Sequence, residues 1–278
     1  MTNSPSIKVL ILGGGYGTRL QKDIINDASG NFKHLLGRPK ALLPIANEDA
    51  LISIWLGLLK ECGIPERNIF IVSNDVFYQQ FVEWAKLHGV PEANIGNDGT
   101  NSNETRLGAV ADIAFGIKHF SLEEDHILVI GGDTLFLRDF KLDQFFLMSR
   151  EQNGSLVTEY KVSDAETYKF GIMEYEPKSR KVTRFLEKPG PKLTSSRSAC
   201  PCFYLFTPFA TTLVFRFLEE KRSQNASLEE VDATGKFISW VVDKHSLFAI
   251  PISGRIDVGG LSSYIEAIDY FSKSSESY

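Results

Sequence analysis

The chain is poor in the residues that build disulfides, membrane spans and nucleic-acid surfaces. Its three cysteines, Cys62, Cys200 and Cys202, form no CxxC pair, which argues against a disulfide framework and a structural zinc site and points to a reducing compartment. No segment approaches the ~18 to 20 apolar residues of a membrane helix. The amino terminus has one lysine ahead of a short apolar stretch that runs into glycines, too little for a secretory signal. Positive charge is also scarce: 30 Lys and Arg against 35 Asp and Glu leave a formal net charge of -5. A broad nucleic-acid or anionic-membrane face is therefore not expected, whereas a small anion held by a few cations in a cleft is. The five histidines make no HExxH and no spacing with a Ser or Cys nucleophile. There is no internal repeat and no linker rich in Pro, Ser or Gly. The expectation is a soluble cytoplasmic chain, one domain over residues 1–278, with no nucleic-acid or membrane partner.

What is present is a large apolar fraction, 43% of 278 residues, enough for a sizeable core. In the first half a short apolar run, a polar turn and a segment of helical period recur, which predicts parallel strands joined by right-handed crossovers. Strands are expected at Ile7 to Leu12, Asn68 to Ser73 and His126 to Ile130, with helices over Ala50 to Cys62 and Val76 to His88 that stop at Gly63 and Gly89. After Gly154 the runs shorten and gain β character, at Ser155 to Lys161, Gly171 to Tyr175, Lys181 to Phe185 and Phe203 to Phe206. They predict a mixed or antiparallel extension on the parallel sheet. A helix over Ala210 to Arg222, a strand over Ser246 to Ile252, a helix from Ser262 to about Ser272 and a frayed tail over Ser274 to Tyr278 complete the pattern.

The chemistry concentrates in a few places. Directly after the first strand stands GGGYGTRL, Gly13 to Leu20. Glycines at a buried strand tip offer bare amides, and Arg19 offers a permanent cation, which together suit phosphates. A dinucleotide fingerprint needs an acidic residue about twenty positions on, where this chain has the basic stretch Lys33 to Lys40. A Walker loop needs GK[ST], which is missing. The plain alternative is a strand-to-helix turn that uses glycine only for its backbone angles. Asp133, in GDT after the His126 strand, sits where open α/β sheets bind ligands at strand carboxyl ends, although a lone Asp there more often caps a turn.

GGGYGTRL followed by PKALLPI, residues 39–45, resembles the signature of the nucleotide-sugar pyrophosphorylases, GGxGTRL and then PKPLxPV. The resemblance implies a Rossmann-like three-layer α/β/α fold with a mostly parallel central sheet. It also implies a nucleotide-binding part over about 1–135 and a sugar-phosphate-binding part over about 136–278. The implied reaction joins a nucleoside triphosphate to a sugar 1-phosphate with Mg²⁺ and releases diphosphate. Leu12, Gly14, Gly15, Gly17 and Thr18 would meet the nucleotide, Arg19 the leaving pyrophosphate, and Lys40 the charge that grows in the transition state. Asp133 and Asp257, the latter in IDVGG, would hold the metal, a donor set suited to Mg²⁺. Gly171 in KFGIM, Glu187 and Lys188 in FLEKP, and Tyr204 would meet the sugar phosphate.

Three departures stand out. Nineteen residues separate Arg19 from Pro39, longer than the family loop, and the insert Lys22 to Leu36 is expected as a lid or an extra contact surface. The segment IGNDGTNSNETRLGAVAD stands where the family recognises the base, which implies nucleotide contacts at Asn97 and Gly108; it resembles guanylyl-transferring members at Glu104, Leu107 and Gly108, while Asn97 to Gly99 match neither these nor the thymidylyl- and uridylyl-transferring members well, so the base stays open between GTP and UTP or dTTP. Cys200-Pro201-Cys202 stands where the family commonly has Asn-Ala-Gly or Thr-Gly, so a sugar pocket different from the common hexose type is expected. A catalytic domain of this kind often forms a dimer or tetramer. The competing reading is a regulatory subunit or sensor that binds a nucleotide sugar on the same fold without making one. The end of the chain soon after Asp257 suggests no appended β-helix domain.

Overall fold

A computed structural model describes residues 7–273; the expected tail over Ser274 to Tyr278 lies outside them. The parallel half comes first: β1 (Ile7–Leu12), α1 (Thr18–Asn26), α2 (Leu51–Glu61), β2 (Ile69–Ser73), α3 (Tyr78–His88), β3 (Ile95–Asn97), α4 (Ala109–His119) and β4 (His126–Gly131). Its strands lie parallel in the order β3-β2-β1-β4. The chain therefore builds outward from β1 to one side and returns to place β4 on the other. That is a topological switch point, with a crevice at the strand carboxyl ends.

The centres of β1, β2 and β4 read as apolar runs because both faces of the sheet are covered. Val9 and Ile11 enter the core beneath α2, α3 and the carboxyl-terminal helix, while Leu10 enters the core beneath α4. Alternation along a strand sends successive side chains to opposite faces, so the run Val9 to Leu12 serves two cores.

The second half adds β5 (Thr134–Phe136), α5 (Leu142–Glu151), β6 (Ser155–Lys161), β7 (Gly171–Tyr175), β8 (Val182–Glu187), β9 (Ser198–Cys200) and β10 (Phe203–Phe206). It ends with α6 (Pro208–Ser223), α7 (Glu229–Asp232), α8 (Thr234–Val241), β11 (Leu247–Pro251), β12 (Arg255–Asp257) and α9 (Leu261–Ser272). β10 pairs antiparallel with both β4 and β6, and the sheet continues through β9, β7 and β8, with β11 parallel to β6. The extension is thus mixed and joined to the parallel half by one strand. In it Glu159 is nearly buried and pairs with Arg180 at 2.8 Å, whose guanidinium stacks 4.2 Å from the Tyr175 ring. Pairing of both charges makes that burial tolerable.

The expected elements lie within about two residues of the observed ones, and the differences have local causes. The third helix starts at Tyr78 because Asn74 caps the preceding turn, accepting from Phe77 N at 3.0 Å. α5 and α8 were not expected. The insert is anchored rather than detached: α1 runs into it, a 3-10 turn forms at Lys33–Leu35, and Ile24 and Leu35 are wholly buried, while most of its other side chains are exposed. Gln21 ties the loop, accepting from Gly37 N at 2.9 Å and donating to Arg38 O at 3.2 Å. Ile24 and Leu35 join the core that α9 also enters, and the exposed face of the segment leaves the expected contact surface open.

Candidate active site

A cleft of about 620 Å³ opens at the carboxyl ends of β1 and β4 and is closed on its far side by the antiparallel extension. Its first wall is backbone. Gly13 N donates to Val72 O at 2.7 Å and Asn74 Nδ2 donates to Gly14 O at 2.9 Å, which fixes the loop. The amides of Gly14 and Gly15 have no acceptor among the described residues, and Gly15 faces open space. Unpaired amides at a strand-to-helix turn form an anion cradle. Gly17 completes the turn at φ +60°, a backbone that other residues rarely adopt.

The floor carries the charge. Gly132 N donates to Leu12 O at 3.0 Å, joining the tips of β1 and β4 and placing Asp133 at the switch point. Lys40 Nζ lies 3.0 Å from Asp133 Oδ2. β12 pairs antiparallel with β5 and sets Asp257 opposite Thr134, while Val258 N reaches Asp133 O at 3.3 Å. Asp133 and Asp257 thereby flank the cleft together, each carboxylate about four-tenths exposed. Two half-exposed carboxylates beside an anion cradle suit a hard divalent cation that keeps waters and takes its other ligands from phosphate. Among the described residues no group of three or more His, Cys, Asp or Glu side chains forms a closed metal cage.

Arg255 is the residue that sequence reasoning missed on this floor. Its guanidinium, 9% exposed, lies 3.6 Å from Asp257 Oδ1, donates to the Tyr160 hydroxyl at 3.0 Å and stacks 4.7 Å from the Phe170 ring. The signal was Arg-Ile-Asp itself, since alternation places residues 255 and 257 on one face of a strand. Arg19 is exposed and does not line the cleft. Its Nε donates to Gly259 O at 2.8 Å, and a Cβ on Gly259 would strike Arg19 Nη2 while standing 3.2 Å from Asp257 Oδ2. The guanidinium therefore stands beside the Asp257 carboxylate. Thr18 is exposed on α1 outside the lining. Asn97 is outside it too, with Nδ2 on Asp75 at 2.9 Å and Oδ1 accepting from Gly99 N.

The third wall comes from the extension. Gly171, Glu187 and Lys188 line it. Lys188 has φ +50°, and its N donates to Phe170 O at 3.2 Å. Such a conformation costs energy in a non-glycine residue and persists where its surroundings impose it. The Glu187 carboxylate occupies the space that a side chain on Gly235 would fill, and the Phe185 ring with the same carboxylate behind it closes the space beside Gly171. Burial pushes the Glu187 carboxyl up, and Lys188 and Lys236 partly offset that. Tyr204 is buried on the cleft floor with its hydroxyl 2.9 Å from Thr234 Oγ1. Cys200 and Cys202 are free thiols on this wall. Burial pushes both up, Cys202 to about 12, so neither is a thiolate nucleophile near neutrality.

The last wall is α4 with the loop before it. Gly108 begins the helix at φ +94°, packed against the backbone of Asp232 on α7. Arg106 Nη2 donates to Asp232 Oδ2 at 2.9 Å and Nη1 to Asn103 O at 2.6 Å, fastening the loop. In the first turn of α4, Asp112 is 8% exposed, and its Oδ1 is buried with no hydrogen-bond partner. Burial, with Asp98 and Asp232 adding repulsion, pushes its carboxyl to about 7. Sequence reasoning missed it, although it interrupts the apolar stripe Val110, Ile113 and Ile117.

The chain matches the nucleotidyl transferase family over residues 8–274. It belongs to that family. Among curated relatives it is 27% identical over 274 residues to the mannose-1-phosphate guanylyltransferase catalytic subunit beta of Xenopus tropicalis, covering 94% of this chain. It is 24% identical over 270 residues to an Arabidopsis thaliana chain assigned as a mannose-1-phosphate guanylyltransferase, again covering 94% of this chain. The chain spans 66% and 64% of those two relatives' own lengths. Among solved structures, a Bacillus anthracis chain assigned as a glucose-1-phosphate thymidylyltransferase superposes with a TM-score of 0.72 at 22% identity, covering 98% of both chains. Apo UDP-glucose pyrophosphorylase superposes at 0.68 with 19% identity over 95% of this chain and 98% of its own. The α/β fold with a parallel core and an antiparallel extension is thus that of the sugar-1-phosphate nucleotidyltransferases. No helix among the described residues is long and apolar enough to cross a membrane.

Proposed function

We propose that this protein transfers a nucleotidyl group from a nucleoside triphosphate to a sugar 1-phosphate, by in-line attack of the sugar phosphate oxygen on the α-phosphate with release of diphosphate. The observation that carries the reading is the convergence of a backbone anion cradle, the Lys40–Asp133 pair and Asp257 at one switch point, with Glu187 and Lys188 facing them across the cleft. The names of the relatives agree with it.

Phosphoryl chemistry asks little covalent work of the protein, so positioning and charge supply most of the rate. The unpaired amides of Gly14 and Gly15 hold the triphosphate against the tip of β1. Asp133 and Asp257 are the residues that would hold Mg²⁺, which when bound neutralises and aligns phosphate oxygens. Lys40, paired with Asp133 at 3.0 Å without substrate, turns to the α-phosphate and stabilises the charge that accumulates there. Arg19, held to Gly259 through Nε outside the cleft lining, would have to turn inward to meet the departing pyrophosphate. Lys188 brings the sugar phosphate up, and Glu187, held in the gap left by Gly235, accepts hydrogen bonds from sugar hydroxyls. The raised thiols of Cys200 and Cys202 leave them as walls of the sugar pocket.

The direct test is a matrix of common nucleoside triphosphates against several sugar 1-phosphates with Mg²⁺, read by diphosphate release. Turnover in at least one cell is expected. Silence across the matrix, with nucleotide sugar still bound, would favour a sensor on the same fold.

A further inference from the structure

Arg255 is a cation that the fold encloses without using most of its donors. Its side chain is 9% exposed and lines the cleft. A guanidinium carries several N–H groups, and here Nε alone has an acceptor among the described residues, the Tyr160 hydroxyl at 3.0 Å. The Asp257 carboxylate stands 3.6 Å from Nη1, close enough to favour the charge but outside hydrogen-bond distance. Among the described residues, the buried side-chain atoms left without a partner are Asp112 Oδ1 and Glu159 Oε2, not the Nη atoms of Arg255. Those atoms are therefore open, and the space they open on is the cleft. The rest of the side chain is held in place, since the guanidinium lies 4.7 Å over the Phe170 ring. Phe170 O also accepts from Lys188 N at 3.2 Å, so Arg255 and Lys188 are tied to one residue of the wall that the extension builds. A desolvated cation with free N–H groups is costly to keep unless an anion completes it, and its fork matches two oxygens of one phosphate or carboxylate.

We propose that Arg255 is a substrate-binding residue whose Nη groups grip an oxyanion of the sugar substrate, either the 1-phosphate itself or a carboxylate on the ring. The inference rests on the transferase reading and adds an anion site that neither the amides of Gly14 and Gly15 nor Lys188 supplies. If the anion is the phosphate, the fork holds two of its oxygens and leaves the third free to attack the α-phosphate, while Lys188 neutralises the remaining charge. If it is a carboxylate, Lys188 keeps the phosphate and Arg255 takes the acid group, so the substrate is a uronic acid 1-phosphate. In both cases the anion replaces water at the Nη edge, and the Tyr160 hydroxyl and the Phe170 ring keep the fork from turning away.

The experiment is titration calorimetry of the intact protein with hexose 1-phosphates and the matching uronic acid 1-phosphates, run without metal and again with Mg²⁺ and a non-reacting nucleoside diphosphate. Arg255→Lys keeps the charge and loses the fork. It should bind the best of these ligands about 10- to 100-fold more weakly, the range for hydrogen bonds to a charged group. Binding of nucleoside triphosphate should stay unchanged, a split that an arginine with a purely structural role would not produce. A uronic acid 1-phosphate that outbinds its hexose counterpart in the wild type, and loses that advantage in Arg255→Lys, assigns the carboxylate. Equal weakening of both series assigns the phosphate. Unchanged sugar phosphate binding in Arg255→Lys, or equal losses for sugar phosphate and triphosphate, overturns the proposal. Should that variant lack the wild-type circular dichroism spectrum, Tyr160→Phe releases Nε and keeps the cation. It is expected to weaken the same ligands and spare the triphosphate, and unchanged binding there overturns the proposal as well. Diphosphate release, measured separately, keeps the two readings apart. Release with an unchanged KM for sugar 1-phosphate in Arg255→Lys overturns the Arg255 assignment alone, Arg255-dependent binding without release overturns transfer alone, and no sugar phosphate bound under either condition overturns both.

Discussion

Gly14 and Gly15, at the tip of β1, offer the cleft unpartnered amides, whereas Lys188 and Arg255, from the end of β8 and from β12, offer it charged side chains. The contrast follows from how each half of the sheet is built. Parallel strands buried on both faces expose only their tips, so a ligand meets backbone and the residue just beyond the strand. The antiparallel extension instead turns the edges and ends of short strands to the cleft, so a ligand meets side chains. Under the proposed transfer reaction, the rigid backbone would meet the triphosphate and the side chains of the extension the sugar phosphate.

The comparison breaks most sharply where the halves meet. Trp55 on α2 packs 5.1 Å from Phe203 of β10 and 5.3 Å from Phe136 of β5, and its indole N–H donates to Thr134 O at 2.8 Å. Trp55→Ala should cost about 3 to 5 kcal/mol in denaturant unfolding and should slow turnover as well, because Thr134 follows Asp133. A stability loss without any loss of turnover would show that the joint and the site are independent.

On the parallel side, a pH series tests the buried carboxyl of Asp112. Its folded value, raised from 3.8 to about 7, means that the folded state holds the extra proton between those values. Stability contributed by that proton is complete below about pH 4 and lost as pH rises through 7, a fall of about 4 kcal/mol. Asp98 and Asp232 face the group and shape the curve, while Asp232 is neutralised by Arg106. Asp112→Asn should flatten the slope of unfolding free energy against pH, and an unchanged slope would mean that the carboxyl is hydrated.

Asp133→Asn should lower turnover by about 10²- to 10³-fold with the fold intact by circular dichroism, the range for removing a preorganised charged group. Wild-type diphosphate release from that variant would refute the assignment of the metal site. On the extension side, Gly235→Ala places a methyl where the Glu187 carboxylate lies. The KM for sugar 1-phosphate should rise about tenfold or more, with the KM for the triphosphate nearly unchanged. Equal rises in both constants would mean that the two halves do not divide the substrates.

Much of this was readable from local pattern. The runs at Ile7 and His126 and the glycines after Leu12 announced two strands and a phosphate loop because period and turn chemistry are local. Helices α5 and α8 were missed. In the first, Phe145 and Phe146 are buried while Leu147 and Met148 beside them are exposed, which blurs the period; the second lies directly after the short α7 with only Ala233 between them. β5 and β12 were invisible for another reason: each has three residues, and their pairing joins segments more than a hundred positions apart.

The sequence alone determined a parallel α/β core, the strand tip that carries Gly14 and Gly15, and the residue types that a phosphate-transfer site requires, since these depend on neighbours within a few positions. Only the tertiary structure decided that Asp133 and Asp257 stand together, that Arg255 backs the second of them, that Arg19 is held to Gly259 outside the cleft lining, and that Asp112 is left with a buried oxygen and no donor. Proximity across long chain separations and the desolvation of a charge are properties of the packed whole, and no local pattern encodes them.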